Sequence, residues 1–279
     1  MGKQGEWTKW DTEQRKLPWN QIWSATPWQL KFLLRSVYDV LPTPTNLCTW
    51  GLSAEPNCHM CSKPANLEHI LSSCRVSLTQ GRYRWRHDQV LKALAHVIDQ
   101  KRREKKRAYI GHTQIQFVKA GGTIPHKPKS TRQGILDDAA DWELMVDLGK
   151  KLVFPSIVET LLRPDIILVS KSKRKLIAVE LTVPWETRCQ QAHKRKLAKY
   201  QELLNECRQK GWQTWNLPVE IGCRGFPASS CWKTLGILGI VGCGRKKAVD
   251  QLGREAEKAS RWLWIRRESS WMPTTESGV

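Results

Sequence analysis

Two groups of residues have types and spacings suited to chemistry. Cys58, Cys61, His69 and Cys74 stand in "CHMCSKPANLEHILSSC", a C-x2-C-x7-H-x4-C pattern. Zn²⁺ takes four tetrahedral thiolate and imidazole ligands, and a close Cys pair on a tight turn grips one edge of that tetrahedron. The His-x4-Cys pair would come from a short helical turn after the "SKPANLE" loop. His59, between the two cysteines, cannot easily share their metal, and Cys48 lies ten residues upstream, where a packed thiol is the plainer reading. Four protein ligands leave no open position for water, so a structural zinc is expected.

The second group lies in "LLRPDIILVSKSKRKLIAVELTVPWE", residues 161–186. Two apolar runs flank a basic turn, which reads as a hairpin with 171–174 as its four-residue loop. That register sets Ser170 against Lys175 and, further along, Asp165 against Glu180. Opposed residues have Cβ atoms about 4.5–5.5 Å apart, close enough for two carboxylates to repel. Mg²⁺ or Mn²⁺, hard cations that prefer oxygen, would resolve the conflict. Pro164 cannot donate to a sheet ladder, so it marks the strand's first position and puts Asp165 at the rim. The bland alternative is a pair of solvated strand-end carboxylates. It suits Glu180 poorly, because "LIAVELTV" is apolar on both sides.

Hydrolysis at such a site needs a cation beside the metal. The next helix offers Lys194, Arg195, Lys196 and Lys199, with Leu197, Tyr200, Leu204 and Cys207 as its apolar stripe. Lys196 lies one turn before Tyr200 at the stripe's edge, whereas Lys194 and Lys199 are expected farther round, toward nucleic-acid backbone or water. Any single lysine in so basic a helix is more often merely solvated, and only its position singles out Lys196. Among the acids upstream, Glu143 is a candidate auxiliary ligand, and Asp141 and Asp147 beside it are equally acidic.

The elements that must hold these groups fall into four segments. Residues 1–47 form a connector that carries Trp7, Trp10, Trp19, Trp23 and Trp28 and leads into a helix with Leu30, Leu33, Leu34, Val37, Tyr38 and Leu41 at helical spacing. Tryptophans at this density are expected to pack rather than to stack on bases. Residues 48–118 hold the Cys/His cluster and a basic helix whose apolar face is Val90, Leu91, Leu94, Val97 and Ile98. From Arg75 to Arg107 there are eleven Lys/Arg against three Asp/Glu. Residues 119–134, "KAGGTIPHKPKSTRQG", read as a linker. Residues 135–279 read as a helix over 135–150, a strand in "LVFPSIVET", the hairpin, a long helix, a strand in "WQTWNLPVEIGC" and two closing helices. The expected class is α/β, a mixed sheet covered by helices.

The chain of 279 residues carries a formal net charge of +20. The excess is clustered ("KRREKKR", "KSKRK", "KRKLAK"), which points to a polyanion, and to nucleic acid over a membrane. No apolar run is long enough to cross a bilayer. No secretory segment follows Met1, and nine cysteines at uneven spacing argue against a disulfide framework. A reducing compartment, nucleus or cytoplasm, is therefore expected.

"RPD-x14-E" followed by a Lys/Tyr-bearing helix resembles the restriction-like endonucleases of the PD-(D/E)XK superfamily. With the CCHC knuckle upstream, and "FLLRSVYDVLPTPTNL" and "GRYRWRHDQVL" around it, nearly the whole chain resembles the carboxy-terminal part of site-specific non-LTR retrotransposon polyproteins. The resemblance implies a restriction-endonuclease-like core behind a small helical zinc knuckle. It also implies a Mg²⁺-dependent enzyme that nicks target DNA, whose 3′ end then primes reverse transcription. Asp165 and Glu180 would hold the metal, Lys196 would be the family's lysine moved onto the helix, and Tyr200 its companion. Thr182 stands where the usual E-x-K motif has lysine. No polymerase catalytic motif occurs in these residues, so the reverse transcriptase is expected to lie outside them. Target DNA is the implied partner, with the element's RNA open as a second. The rival expectation is a non-catalytic nucleic-acid-binding remnant of such a protein.

Overall fold

The computed structural model describes residues 10–13, 17–109 and 134–271, the last five of the first long helix by backbone alone. Trp7 and the linker 119–133 lie outside the described residues. The centre is the hairpin. Strands β2 (Ile166–Ser170) and β3 (Lys175–Thr182) pair antiparallel with Ser170 opposite Lys175 and Ile166 opposite Val179. The loop is 171–174, with Arg174 in the left-handed region at φ 48°. β2 is buried along its whole length and β3 nearly so, as expected of strands covered on both faces. Asp141 closes the turn. Its carboxylate accepts from Ser170 Oγ at 2.6 Å, Ser172 N at 2.9 Å and Ser172 Oγ at 2.8 Å.

Two further strands flank the hairpin in the order β1-β2-β3-β4. β4 (Gln213–Glu220) runs parallel to β3 and sets Thr182 beside Glu220. It is an edge strand, which is why Pro218 is tolerated within it. β1 (Glu143–Val146) pairs antiparallel with β2 on the other edge. This differs from the helix expected over 135–150. Those residues form a 3-10 turn (Ile135–Asp138), the strand, and a second 3-10 turn (Leu148–Lys150). The reason is that the acids are caps. Asp137 accepts from Gly134 N at 2.9 Å, Asp141 holds the hairpin turn, and Asp147 accepts from Leu152 N at 3.0 Å. Residues 152–160, expected as a strand, contain none, although Leu152, Phe154 and Val158 are still buried.

Among the described residues seven α-helices lead up to β4. They are α1 (Trp19–Ser24), α2 (Pro27–Val37), α3 (Pro44–Thr49), α4 (Arg75–Thr79), α5 (Arg82–Tyr109), α6 (Cys189–Lys199) and α7 (Gln201–Gln209). α8 (Ser229–Ile237) and α9 (Gly242–Ile265) follow it. The single helix expected after the hairpin is broken at Tyr200, whose φ of −106° and ψ of 4° separate α6 from α7. The sheet divides two cores. One face (Ile167, Leu176, Ala178) meets Tyr200 and Leu203, Leu204 and Cys207 of α7. The other (Ile166, Leu168, Ile177, Val179, Leu181) meets α5, α8 and α9. Val90, Leu91, Leu94, Val97 and Ile98 are all buried in this second core, together with Leu67 and Leu71 from the Cys/His region. Each such side chain contributes roughly 1.5–3 kcal/mol relative to exposure. The segments read separately along the chain thus share one core. Gly253 lets α9 approach, since a Cβ there would meet Gly225 O at 2.7 Å.

The tryptophans divide. Trp10 lies 5.1 Å from Phe226 edge-on, and Trp10 and Trp185 flank Arg224, whose Nε bonds buried Glu186 at 2.7 Å. Trp19, Trp23 and Trp28 are 73%, 81% and 75% exposed, against the expectation that they pack. Among the described residues no helix is long and apolar enough to cross a membrane.

Candidate functional site

The four residues of the CCHC pattern converge. One ligand atom from each of Cys58, Cys61, His69 and Cys74 lies within 4.8 Å of all the others. The Cys pair sits on a tight turn. Ser62, at φ 57°, donates its N–H to Cys58 O at 2.7 Å, and Cys58 N bonds Lys63 O at 2.7 Å. His69 opens a π-helical turn (His69–Ser73), and its N–H is held by Asn66 Oδ1 at 2.8 Å. The turn closes with Cys74 N on His69 O at 2.9 Å, and the x4 spacing thus returns Cys74 to the imidazole. Cys61 Sγ is 3.2 Å from His69 Nε2 and 3.8 Å from Cys74 Sγ.

Burial raises the Cys58 thiol and lowers His69, leaving the imidazole neutral as a ligand must be. Burial also raises Cys74, but hydrogen bonds from Ser77, Cys61 and Val76 together outweigh it and the thiol falls below its ordinary value. Three thiols and one imidazole at these separations suit a tetrahedral metal ion such as zinc. Tyr83 of α5 ties the cluster to the fold, because its hydroxyl accepts from Cys74 N at 3.1 Å and donates toward His69 O and Ile70 O.

The carboxylates also meet. Asp165, one residue before β2, continues the register opposite Glu180. The two interlock through backbone. Asp165 N donates to Glu180 Oε2 at 3.1 Å, and Leu181 N donates to Asp165 Oδ2 at 2.9 Å. Both side chains are nearly buried, Asp165 at 9% and Glu180 at 2% exposed. Two like charges out of water need cations. Lys196 Nζ from α6 donates to Glu180 Oε1, and Lys199 Nζ lies 3.7 Å from the same atom. Lys199, expected toward nucleic-acid backbone or water, is exposed, with its side chain 42% accessible, while its ammonium also reaches this carboxylate. Lys194 is exposed.

Tyr200 is wholly buried at the break. Its hydroxyl donates to Arg163 O at 3.0 Å and accepts from Lys199 Nζ at 2.7 Å. Burial first, then the Glu180 charge, push its ionisation far above the usual phenol range. It therefore acts as a fixed neutral donor.

His87 of α5 supplies a contact that sequence reasoning missed. Its Nε2 lies 3.2 Å from Asp165 Oδ2 and its Nδ1 3.0 Å from Asp88 Oδ1. Burial lowers its pKa, but the hydrogen bonds and charges of Asp165 and Asp88 more than offset this, giving about 9. The available signal is its place one turn before Val90 and Leu91, a titratable group on an otherwise apolar stripe. Also missed was Glu220 at the end of β4. It is 1% exposed and accepts from Ser230 Oγ at 2.6 Å, with His193 Nδ1 at 3.0 Å. Burial raises its pKa against the pull of Ser230 and His193.

The auxiliary acids scatter. Glu143 sits at the hairpin-turn end of β1, opposite Val169, paired with Lys171 at 3.0 Å. Asp141 is the turn cap. Asp147 alone borders the site, its N–H on Asp165 O at 2.8 Å. Thr182, two residues past Glu180, leaves its Oγ1 buried without a partner, and the ammonium on Glu180 comes from α6 instead.

Asp165 and Glu180 open onto a cleft of about 520 Å³ whose wall includes Arg84, Lys150, Arg163, Arg195, Lys196 and Lys199. Acid at the floor and cations at the rim can hold a divalent ion below and a phosphodiester above. Arg86, fully buried, joins this region to the Cys/His cluster by donating to Leu71 O at 2.7 Å and Val183 O at 3.0 Å. The sequence matches no protein-family model and no curated protein.

Proposed function

We propose that this chain is a metal-dependent DNA endonuclease with a restriction-endonuclease-like core, of the kind found in site-specific non-LTR retrotransposon proteins. The observation that carries this reading is the convergence of Asp165, Glu180 and Lys196 at the floor of one cation-rimmed cleft.

Asp165 and Glu180 are the residues that would hold Mg²⁺. His87 adjoins Asp165, and among the described residues no third carboxylate joins the pair in a close group. Two carboxylates nevertheless fit this ion, which usually keeps several waters and substrate oxygens in its shell. When bound, Mg²⁺ would lower the pKa of a water and polarise a non-bridging phosphate oxygen.

The chain's own residues supply the rest. His87 and the Leu181 N–H hold Asp165 Oδ2 at a fixed rotamer. Lys196 neutralises Glu180 in the free protein, and with DNA present its ammonium offsets charge building on the phosphate. Tyr200 fixes Lys199 beside it. Arg84, Lys150, Arg163 and Arg195 meet flanking phosphates, contacts that position a strand without reading its sequence. The Cys/His cluster, with zinc, is structural: Tyr83 and Arg86 tie it to α5, the helix that carries His87. The DNA target implies work in the nucleus, and transfer of the nick's 3′ end to a reverse transcriptase would be another segment's task.

Supercoiled plasmid with Mg²⁺ tests the reading. The wild-type chain should nick it, and Asp165→Ala and Glu180→Ala should each lose at least about 100-fold in rate. Wild-type protein that shifts DNA on a gel but never cuts it with Mg²⁺ or Mn²⁺ would be a non-catalytic binding protein instead.

A further inference from the structure

We infer that the tryptophan face of α1 and α2 is a stacking platform for a single strand of nucleic acid, separate from the cleft. Trp19 and Trp23 are one turn apart on α1, a helix that buries none of its residues, and Trp28 follows near the start of α2. All three indoles are about three-quarters exposed. The same chain keeps Trp142, Trp185 and Trp264 at 8% exposure or less, so it has core enough for indoles where it uses them as core. An indole carries on the order of 200 Å² of mostly apolar surface, and three left in water are costly unless something covers them.

The charge around them says what covers them. Residues 17–38 contain no Asp or Glu. Lys31 Nζ lies 5.3 Å over the Trp28 ring, a cation already beside a stacking surface. Arg35, two turns after Trp28 on the same face of α2 as Lys31, adds a second exposed cation. Flat, exposed π-faces beside cations, in a chain of net charge +20, are the two elements of single-strand recognition. Bases stack on the indoles while Lys31 and Arg35 meet the backbone. A duplex has its bases already stacked and gains nothing from the indoles, so the platform selects single strands. This inference does not depend on hydrolysis in the cleft.

The test uses the full chain and a fluorescein-labelled 20-nucleotide single strand, as DNA and as RNA, alongside the duplex of the same sequence. Binding is read by anisotropy at one fixed salt concentration, with intrinsic tryptophan fluorescence recorded in parallel. Wild type should show quenching by single strands. Trp19→Ala/Trp23→Ala/Trp28→Ala should lower the ratio of single-strand to duplex affinity by at least about tenfold, given about fivefold or more for each base that no longer stacks. Circular dichroism and zinc content should match wild type, because the three side chains touch no core. Lys31→Ala/Arg35→Ala should instead flatten the dependence of log affinity on log salt, by roughly 0.7 for each phosphate that is no longer neutralised. An unchanged ratio overturns the inference, as does an equal loss for single strand and duplex. So does a variant that binds strands like wild type but leaves anionic phosphatidylserine vesicles or ceases to self-associate. If wild type binds single strands through these tryptophans and never nicks plasmid, the platform stands and the nuclease reading fails.

Discussion

His87 Nε2 lies 3.2 Å from Asp165 Oδ2, although the two residues are 78 positions apart. The contact brings the helix that leaves the Cys/His cluster to the floor of the hairpin cleft. It makes two motifs that look independent along the chain into parts of one site. With Asp88 behind it, His87 fixes the carboxylate that Leu181 N also holds.

His87→Ala should therefore lower the nicking rate by about 10–100-fold while leaving the Kd for DNA within about twofold, since no phosphate contact is removed. His87→Gln, which keeps one donor, should recover part of the rate. Single-turnover kinetics separate the two quantities, and a change confined to Kd would remove His87 from the positioning role.

Lys196→Met keeps the side chain's length and apolar stem but leaves Glu180 without its nearest cation. Nicking should fall by at least about 100-fold, with duplex affinity changed by less than about threefold. Lys194→Met, on the exposed side of α6, should leave the rate alone.

Zinc content and thermal melting test the Cys/His cluster. The purified chain should hold one zinc, and Cys74→Ser or treatment with a strong chelator should lower the Tm by roughly 10 °C or more. Near-ultraviolet dichroism should change at the same time, because Tyr83 is anchored by the Cys74 and His69 backbone.

Asp141 gives the hairpin turn a pH dependence. Slight burial raises its pKa, but hydrogen bonds from Ser170 and Ser172 outweigh this and bring it from 3.8 to about 2. A carboxylate depressed in the folded state stabilises above its unfolded pKa and loses that contribution as pH falls through the folded one. Asp141→Asn should therefore lower the urea midpoint at pH 5, and the gap from wild type should close between about pH 4 and pH 2.

Gly253→Ala puts a Cβ 2.7 Å from Gly225 O in the middle of α9. Denaturant melting should show a loss of about 1–3 kcal/mol, with specific activity per folded molecule unchanged. A neutral result would mean that α9 can shift away without cost.

The hairpin was legible because its register depends on local facts: a loop of fixed length, Pro164 at the strand start and apolar runs on both sides. Asp165 and Glu180 follow by counting. The CCHC cluster was legible for the same reason, its ligands lying within seventeen residues of one another. β1 was not, because Asp137, Asp141 and Asp147 mimic the charged face of a helix while each in fact caps a loop or turn. The reach of the exposed Lys199 to Glu180 and Tyr200 was not legible, because periodicity alone does not reveal the break at Tyr200. His87 and Glu220 were passed over since their partners come from distant elements, and packing decides such contacts. The open tryptophan face runs against the general preference of indoles for cores, and only the surrounding charge explains it.

The most direct measurement is anomalous diffraction at the manganese edge from crystals of the chain grown with Mn²⁺ and a short DNA duplex. One strong peak bonded to carboxylate oxygens of both Asp165 and Glu180, at about 2.1–2.3 Å, is the expected result. No peak between β2 and β3, or a peak held elsewhere with Lys196 still seated on Glu180, would contradict it.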